Sequence, residues 1–369
     1  MVQHAPAHPG GHPAHAPRPA AAGMPPYGVE DVHHSPFIVF YEVTRACDLA
    51  CKHCRACAQP ASHPHELTHY QSVALLDQLA QFPRKPLVVL SGGDPLKRDD
   101  TVELVQHGAQ MGLGMSMSPA CTALASKYLL TLLHKAGLQR VAISLDGADA
   151  PTHDAHRGVD GSFNEAIRMI RDCGAIGLPV QVNTTIAAHN VHQVDQIAER
   201  LASLGIAMWS VFFLVPVGRG LGEARIAPEQ YEQVFARLYH HSRTQPFAVK
   251  TTEAPFYRRF VLQQGGDPQR GPHRAPLGIN DGKGVMFVSH TGDVYPSGFL
   301  AKRCGRFPRE SVVDVYQNHE VFTALRDPDR LKGKCGRCGF RQVCGGSRAR
   351  AFALTRDYLA EEPDCVFQP

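Results

Sequence analysis

From Phe37 onward, short apolar runs alternate with stretches whose apolar positions recur every three or four residues. Phe37-Ile38-Val39-Phe40-Tyr41 is β-branched and aromatic, which predicts a strand. Behind it, Val73, Leu75, Leu76 and Leu79 give one apolar face to a helix over 68–82. Leu87-Val88-Val89-Leu90 predicts a buried strand ending at Ser91-Gly92-Gly93-Asp94-Pro95, with a helix over 99–111. The unit then repeats: strand 113–118 and helix 122–136, strand 140–145 and helix 162–176, strand 179–186 and helix 191–204, strand 208–215 and helix 228–242. Strands joined by crossover helices lie parallel, because such connections are right-handed. Six βα units are too few to close an eight-stranded barrel, so the expected wall is splayed and partly open. In such α/β sheets ligands gather at the carboxyl ends of the strands.

After about residue 250 this rhythm is expected to stop. Gly284–His290 and Asp293–Pro296 flank Thr291-Gly292, a hairpin signature, and a helix is predicted over 311–326. Before Pro36 the chain is rich in His, Pro, Ala and Gly, with too few large aliphatic side chains to offset the entropy of ordering. Residues 1–35 are therefore expected to be a disordered tail, 36–245 an α/β core, and 246–369 a smaller cysteine-rich domain.

Length and charge narrow the function. The chain has 369 residues, 43% of them hydrophobic, and a formal charge of +4, with no dense Lys/Arg run. Charge therefore gives no sign of a nucleic-acid partner. No apolar run reaches the roughly 18 residues that span a bilayer, and the N-terminus lacks a signal pattern; a cytoplasmic protein is expected. Eleven cysteines change the picture by clustering. Cys121 and Cys173, outside the clusters, are expected to be buried small hydrophobes.

Cys47, Cys51 and Cys54 fall within eight residues. Three thiolates can close on one small inorganic core, and thiolate suits soft metals and iron-sulfur clusters. A cubane has four irons, so one iron would lack a cysteine from this loop and stay open for chemistry. A zinc site would need a fourth ligand, and His53, between Cys51 and Cys54, is poorly placed for one tetrahedral ion. Cys335-x2-Cys338-x5-Cys344-x20-Cys365 supplies four thiolates, enough for zinc as well as for iron-sulfur.

The triplet Cys47-x3-Cys51-x2-Cys54 resembles the signature of the radical S-adenosylmethionine (SAM) superfamily. The resemblance implies a partial (βα)6, TIM-like barrel and a [4Fe-4S] cluster whose open iron chelates SAM. It further implies one-electron reduction by a donor such as flavodoxin or ferredoxin, then hydrogen abstraction by a 5′-deoxyadenosyl radical. Gly92-Gly93-Asp94-Pro95 is similar to the family's GGE/DP motif, whose backbone meets the amino group of SAM. Ser144-Leu145-Asp146-Gly147 and Asp154-Ala155-His156-Arg157-Gly158 resemble its SLDG and DxxRG elements, placing Ser144 near the ribose and Arg157 near the mouth of the site. Asn183 matches a polar position that meets SAM; on its residue type alone it reads equally as a satisfied core amide. His53 stands where relatives carry an aromatic residue facing SAM, and the loop Val215–Gly220 would pack against adenine.

The C-terminal cysteines resemble a SPASM or twitch extension, which implies an auxiliary [4Fe-4S] cluster on Cys335, Cys338, Cys344 and Cys365. Ser297 stands where fuller versions have a further cysteine, with Cys304 as a displaced alternative. The segments Lys334–Cys338 and Cys344–Arg350 look most like the tetrapyrrole-modifying branch, which removes or alters propionate side chains. The expected substrate is therefore tetrapyrrole-like. A peptide-modifying maturase and a non-catalytic iron-sulfur or zinc sensor are the alternatives; a sensor has no use for SAM-contacting motifs.

Overall fold

The computed structural model describes residues 27–269 and 276–369. The first half of the chain runs β1 (Ile38–Thr44), α1 (His69–Leu79), β2 (Leu87–Gly92), α2 (Thr101–Gln110), β3 (Gly114–Met117), α3 (Lys127–Ala136), β4 (Leu138–Ser144), α4 (Ala150–Arg157), α5 (Ser162–Ala175), β5 (Val180–Ile186) and α6 (Val194–Ala202). Then come β6 (Met208–Phe213), α7 (Pro228–Thr244), β7 (Ala248–Thr252), α8 (Tyr257–Gln263), β8 (Val285–Val288), β9 (Asp293–Tyr295) and β10 (Gly305–Arg306). The chain ends with α9 (Val312–Asn318), α10 (Glu320–Arg326), α11 (Gly333–Arg337) and α12 (Arg348–Thr355).

These strands form one sheet in the order β10-β9-β8-β1-β2-β3-β4-β5-β6-β7. Each neighbouring pair from β8 through β1 to β7 is parallel, and β9 and β10 add antiparallel to that edge. The fold is the expected α/β, partly open barrel, since β7 and β8 are not neighbours in the sheet. Val39, Tyr41 and Val43 point to the helix layer, where Leu75, Leu76 and Leu79 of α1 are also fully buried. Burying each such leucine contributes about 2 kcal/mol. The alternate residues Ile38 and Phe40 face the lumen.

The six predicted units are present, and the rhythm runs one unit past its expected end. β7 escapes pattern reading because only Val249 of its five residues is buried, while Lys250 and Thr252 face the lumen. β8, the first arm of the predicted hairpin, lies parallel to β1, with Ile38 opposite Val285 and Tyr41 opposite Val288. The sheet thus runs across residues 245 and 246.

The expected tail needs correction over residues 27–35. Glu30–His33 is a 3-10 turn, Val32 is buried, and Tyr316 Oη donates to the Val32 carbonyl at 2.7 Å. Residues 1–26 of that expectation lie outside the described residues. Helix bounds move where polar side chains cap. Ser126 Oγ accepts from Leu129 N and starts α3 late. The helix predicted over 311–326 divides at His319, whose ψ of 133° leaves the helical region and whose Nδ1 accepts from Val321 N. α12 shows no apolar stripe because it buries Arg348 and Arg350.

Candidate active site

The cluster loop leaves the carboxyl end of β1 and returns on itself, Cys47 N donating to Gln59 O at 2.7 Å and Gln59 N to Arg45 O at 3.0 Å. Three neighbours hold it. From β2, Gly93 N donates to Thr44 O (2.9 Å) and Asp94 N to Ala46 O (2.7 Å). A Cβ on Gly92 or Gly93 would run into those same carbonyl oxygens, so only glycine permits the approach. After α4, Gly158, in the left-handed region at φ 71°, leaves 2.9 Å between a hypothetical Cβ and Ala50 O. From the loop after β6, Arg219 donates through Nε to Cys51 O (2.8 Å) and through Nη1 to Ala58 O (3.1 Å).

So held, Cys47, Cys51 and Cys54 all line one cavity of about 550 Å³ that opens down the lumen. Each sulfur receives one N–H: Leu49 N at 3.3 Å on Cys47, Arg157 Nη1 at 3.6 Å on Cys51, Ala58 N at 3.5 Å on Cys54. All eleven cysteines are free thiols. Three converging sulfurs, each with one N–H donor and open space before them, fit an iron-sulfur cluster better than a disulfide or a closed zinc site. Burial pushes the Cys47 thiol up to about 11, so metal loading must displace its proton.

His53, Gly92, Gly93, Ser144, Arg157 and Asn183 line the same cavity, and Asp94, Pro95 and Asp146 do not. The Asp94 carboxylate instead accepts from Leu96 N, Ala120 N and Thr122 Oγ1, tying two loops together. Burial pushes it up to about 6 against those hydrogen bonds. Pro95 opens the 3-10 turn that follows. Asp146 is fully buried, accepts from Thr185 N at 2.6 Å and pairs with Arg157. Burial is the largest single influence and would raise this carboxyl; Arg157, with the neighbouring His53, His156 and His153, together outweigh it and hold the group well below the usual range. Arg157 lies against Cys51, beside the cluster loop. Asn183 Oδ1 accepts from Gln181 Nε2 at 2.7 Å, leaving its amide nitrogen for the cavity. The loop Val215–Gly220 packs on the cluster loop rather than lining the cavity, and Gly218 again makes room, a Cβ there meeting Cys54 O at 2.5 Å.

His53 stacks on His156 with centroids 4.1 Å apart and planes 2° apart, and His156 stacks on His189 at 4.2 Å. Burial holds His53 and His156 well below the ordinary histidine range, His156 at about 4. A metal binds imidazole in the ring plane, so two parallel rings cannot share one ion. This is a stack of neutral rings.

A second cavity, about 280 Å³, fills the opening between β7 and β8. It shares Phe40, Arg55, Ser91, Phe212, Lys250 and Phe299 with the first, so the two form one chamber with a waist. Arg55, Lys250, Glu253 and Asp281 were not expected from sequence. Glu253 has φ 60°, an uncommon conformation for a side-chain-bearing residue, and its carboxyl meets that of Asp281. Burial first, then Asp281, push Glu253 well above the usual range. Arg55 follows Cys54 directly, the one available hint.

Cys335, Cys338, Cys344 and Cys365 come together around one small pocket. Glu362 N donates to Cys335 Sγ at 3.2 Å and Gly346 N to Cys344 Sγ at 3.4 Å. Four thiols around one pocket, two of them accepting N–H···S bonds, make a complete ligand set that fits an iron-sulfur cluster and zinc alike. Cys304 does not join them: it is buried in the main core, its thiol on Lys302 O at 3.3 Å. Ser297 Oγ accepts from Leu300 N at 3.1 Å and lines the second cavity. Cys121 and Cys173 are buried as expected, although Cys121 also reaches the cavity wall. Among the described residues, no helix is long and apolar enough to cross a membrane.

The radical SAM superfamily model matches residues 41–206. An AdoMet-dependent heme synthase of Methanosarcina barkeri is 36% identical, over 91% of this chain and 98% of that protein. A pre-heme d1 synthase of Dinoroseobacter shibae is 30% identical, over 89% of this chain and 85% of its own. Among solved structures, SuiB of Streptococcus suis bound to S-adenosylmethionine superposes with a TM-score of 0.71 at 15% identity, covering 90% of this chain and 78% of that one; this likeness concerns the fold. A cluster loop with three converging thiols, in a chain related over nearly its whole length to heme synthases, leads to one conclusion: the chain belongs to the radical SAM superfamily and is a radical SAM enzyme.

Proposed function

We propose that this enzyme abstracts hydrogen from a tetrapyrrole bearing carboxylate side chains, within heme-type biosynthesis. The carrying observation is the single waisted chamber, which joins the cluster loop to a second cavity walled by Phe40, Phe212, Phe287 and Phe299. Flat aromatic faces and a long slot suit a large planar ring. The similarity to heme and pre-heme d1 synthases supports the same substrate class.

Cys47, Cys51 and Cys54 would hold the [4Fe-4S] cluster, with SAM beside Gly92, Gly93, Ser144 and Asn183. Together these cofactors supply a 5′-deoxyadenosyl radical when bound. The chain's own residues do the rest. Arg157, fixed by Asp146, sets a positive charge beside Cys51, and His53 with its stacked partners closes the cavity with neutral rings. Cys335, Cys338, Cys344 and Cys365 would hold an auxiliary [4Fe-4S] cluster, and a flavodoxin- or ferredoxin-type protein would supply electrons. Unpaired thiols in such number fit the reducing cytoplasm.

Anaerobically reconstituted, reduced protein should release 5′-deoxyadenosine from SAM, faster when a tetrapropionate iron porphyrin is added, and the porphyrin should change mass. Cys47→Ala should abolish SAM cleavage. Cys365→Ala should lower iron content and spare SAM binding; full iron retention there would remove the auxiliary cluster from the proposal. Zinc in place of iron, with no cubane signal in the Mössbauer spectrum, would overturn the whole reading.

A further inference from the structure

We propose that Arg55 and Lys250 form a binding site for a substrate carboxylate at the waist of the chamber. It rests on the reading of this chamber as the substrate's and deepens it. Both side chains line both cavities, so anything spanning the chamber passes them. They come from opposite parts of the wall, the cluster loop and β7.

Arg55 is held in place for this role. Its Nη1 donates to Glu42 Oε2 at 3.0 Å, and Glu42 Oε1 is bound in turn by His290 Nδ1 at 2.6 Å. The guanidinium lies over Phe287, 4.5 Å from the ring centroid. Gly298 makes this possible: a Cβ there would stand 3.0 Å from Arg55 Nε. Guanidinium carries five N–H donors in a planar fork, and Glu42 takes one. The others find no protein acceptor among the described residues. A fork fixed on one side and open to a cavity on the other is the geometry that takes a carboxylate through two hydrogen bonds. Lys250 adds a second positive charge across the waist.

Position gives the site its consequence. Arg55 is the residue after Cys54, so an acid arm bound there is held beside the cluster loop, and the aromatic slot beyond takes the body of the molecule. Arg55 thus selects substrates with a carboxylate-bearing arm and presents that arm to the radical source.

Full-length protein carrying its clusters is titrated with a tetrapropionate iron porphyrin and with its tetramethyl ester, following the Soret band. Wild type should prefer the acid, and Arg55→Gln should weaken the acid by about 10- to 100-fold, the range for a charged hydrogen-bonded contact, leaving the ester's affinity where it was. Lys250→Met, on β7 and outside the cluster loop, should act in the same direction, which guards against Arg55→Gln simply disturbing Cys54; iron content checks that point. Acid affinity unchanged in both variants would overturn the anchor and leave the tetrapyrrole reading standing. If wild type binds neither porphyrin, ligand-observed NMR with 3-phenylpropionate against 3-phenylpropanol decides. Arg55-dependent binding of the acid keeps the anchor while the tetrapyrrole reading falls, and absence of binding sinks both.

Discussion

His156 carries more information than its place in a motif. Its ring is sandwiched between two others and its nitrogens find no hydrogen-bond partner, so burial holds it neutral down to about pH 4. An unfolded histidine takes up its proton near 6.5. As pH falls through that window the unfolded chain gains a proton that the folded chain refuses. The stability involved is fully present above 6.5 and is lost toward 4, at most on the order of 3 kcal/mol. His156→Phe keeps a flat ring and removes the titration. Urea unfolding at pH 7 and pH 5 should therefore show a smaller acid penalty in the variant; an equal penalty would mean that other groups, His53 first among them and then His153, dominate. At this scale the sequence was legible where a motif's spacing brings side chains to one cavity, as for Cys47, Cys51 and Cys54. It placed Asp94 and Asp146 in SAM-contacting motifs, whereas their carboxylates serve neighbouring loops and Arg157, because a motif names a residue and not the direction of its side chain.

Among the elements, α12 shows what patterning misses. Arg350 is fully buried, pairs with Glu362 at 3.1 Å and Asp364 at 3.1 Å, and donates to Glu253 O at 2.9 Å. Two charges inside a helix erase the apolar stripe on which helix prediction depends. Arg350→Met should cost about 3–5 kcal/mol, because Glu362 would be left buried without its cation and Asp364 with only the longer pairing to Arg225. A fall in melting temperature checks this, and Arg350→Met paired with Glu362→Gln should recover part of it. β7 was missed for a related reason. A strand whose inward face lines a polar chamber has only half of the usual signal, whereas the strands before it carry long apolar runs.

For the whole molecule, the open barrel places its chamber where the wall fails to close, between β7 and β8, with the second cysteine cluster beyond. The sequence showed the parallel core through its repeating units. It could not show that β8 returns to β1, since nothing local records a pairing partner so distant. A division at residue 245 would therefore strip β1 of its outer neighbour and Arg55 of Phe287. A chain ending at 245 should fail to give a monodisperse, cooperatively melting protein, because an unpaired edge invites association. Size-exclusion chromatography and a thermal melt would show it; a clean monomer with a sharp transition would mean that the core is self-sufficient.

Glu42 and His290 touch although 248 residues separate them. At translation rates of about 5–20 residues per second, β1 emerges from the ribosome roughly 10–50 s before β8 exists to cover it. Throughout that interval β1 keeps an unpaired edge, immediately before the loop that carries Cys47, Cys51 and Cys54.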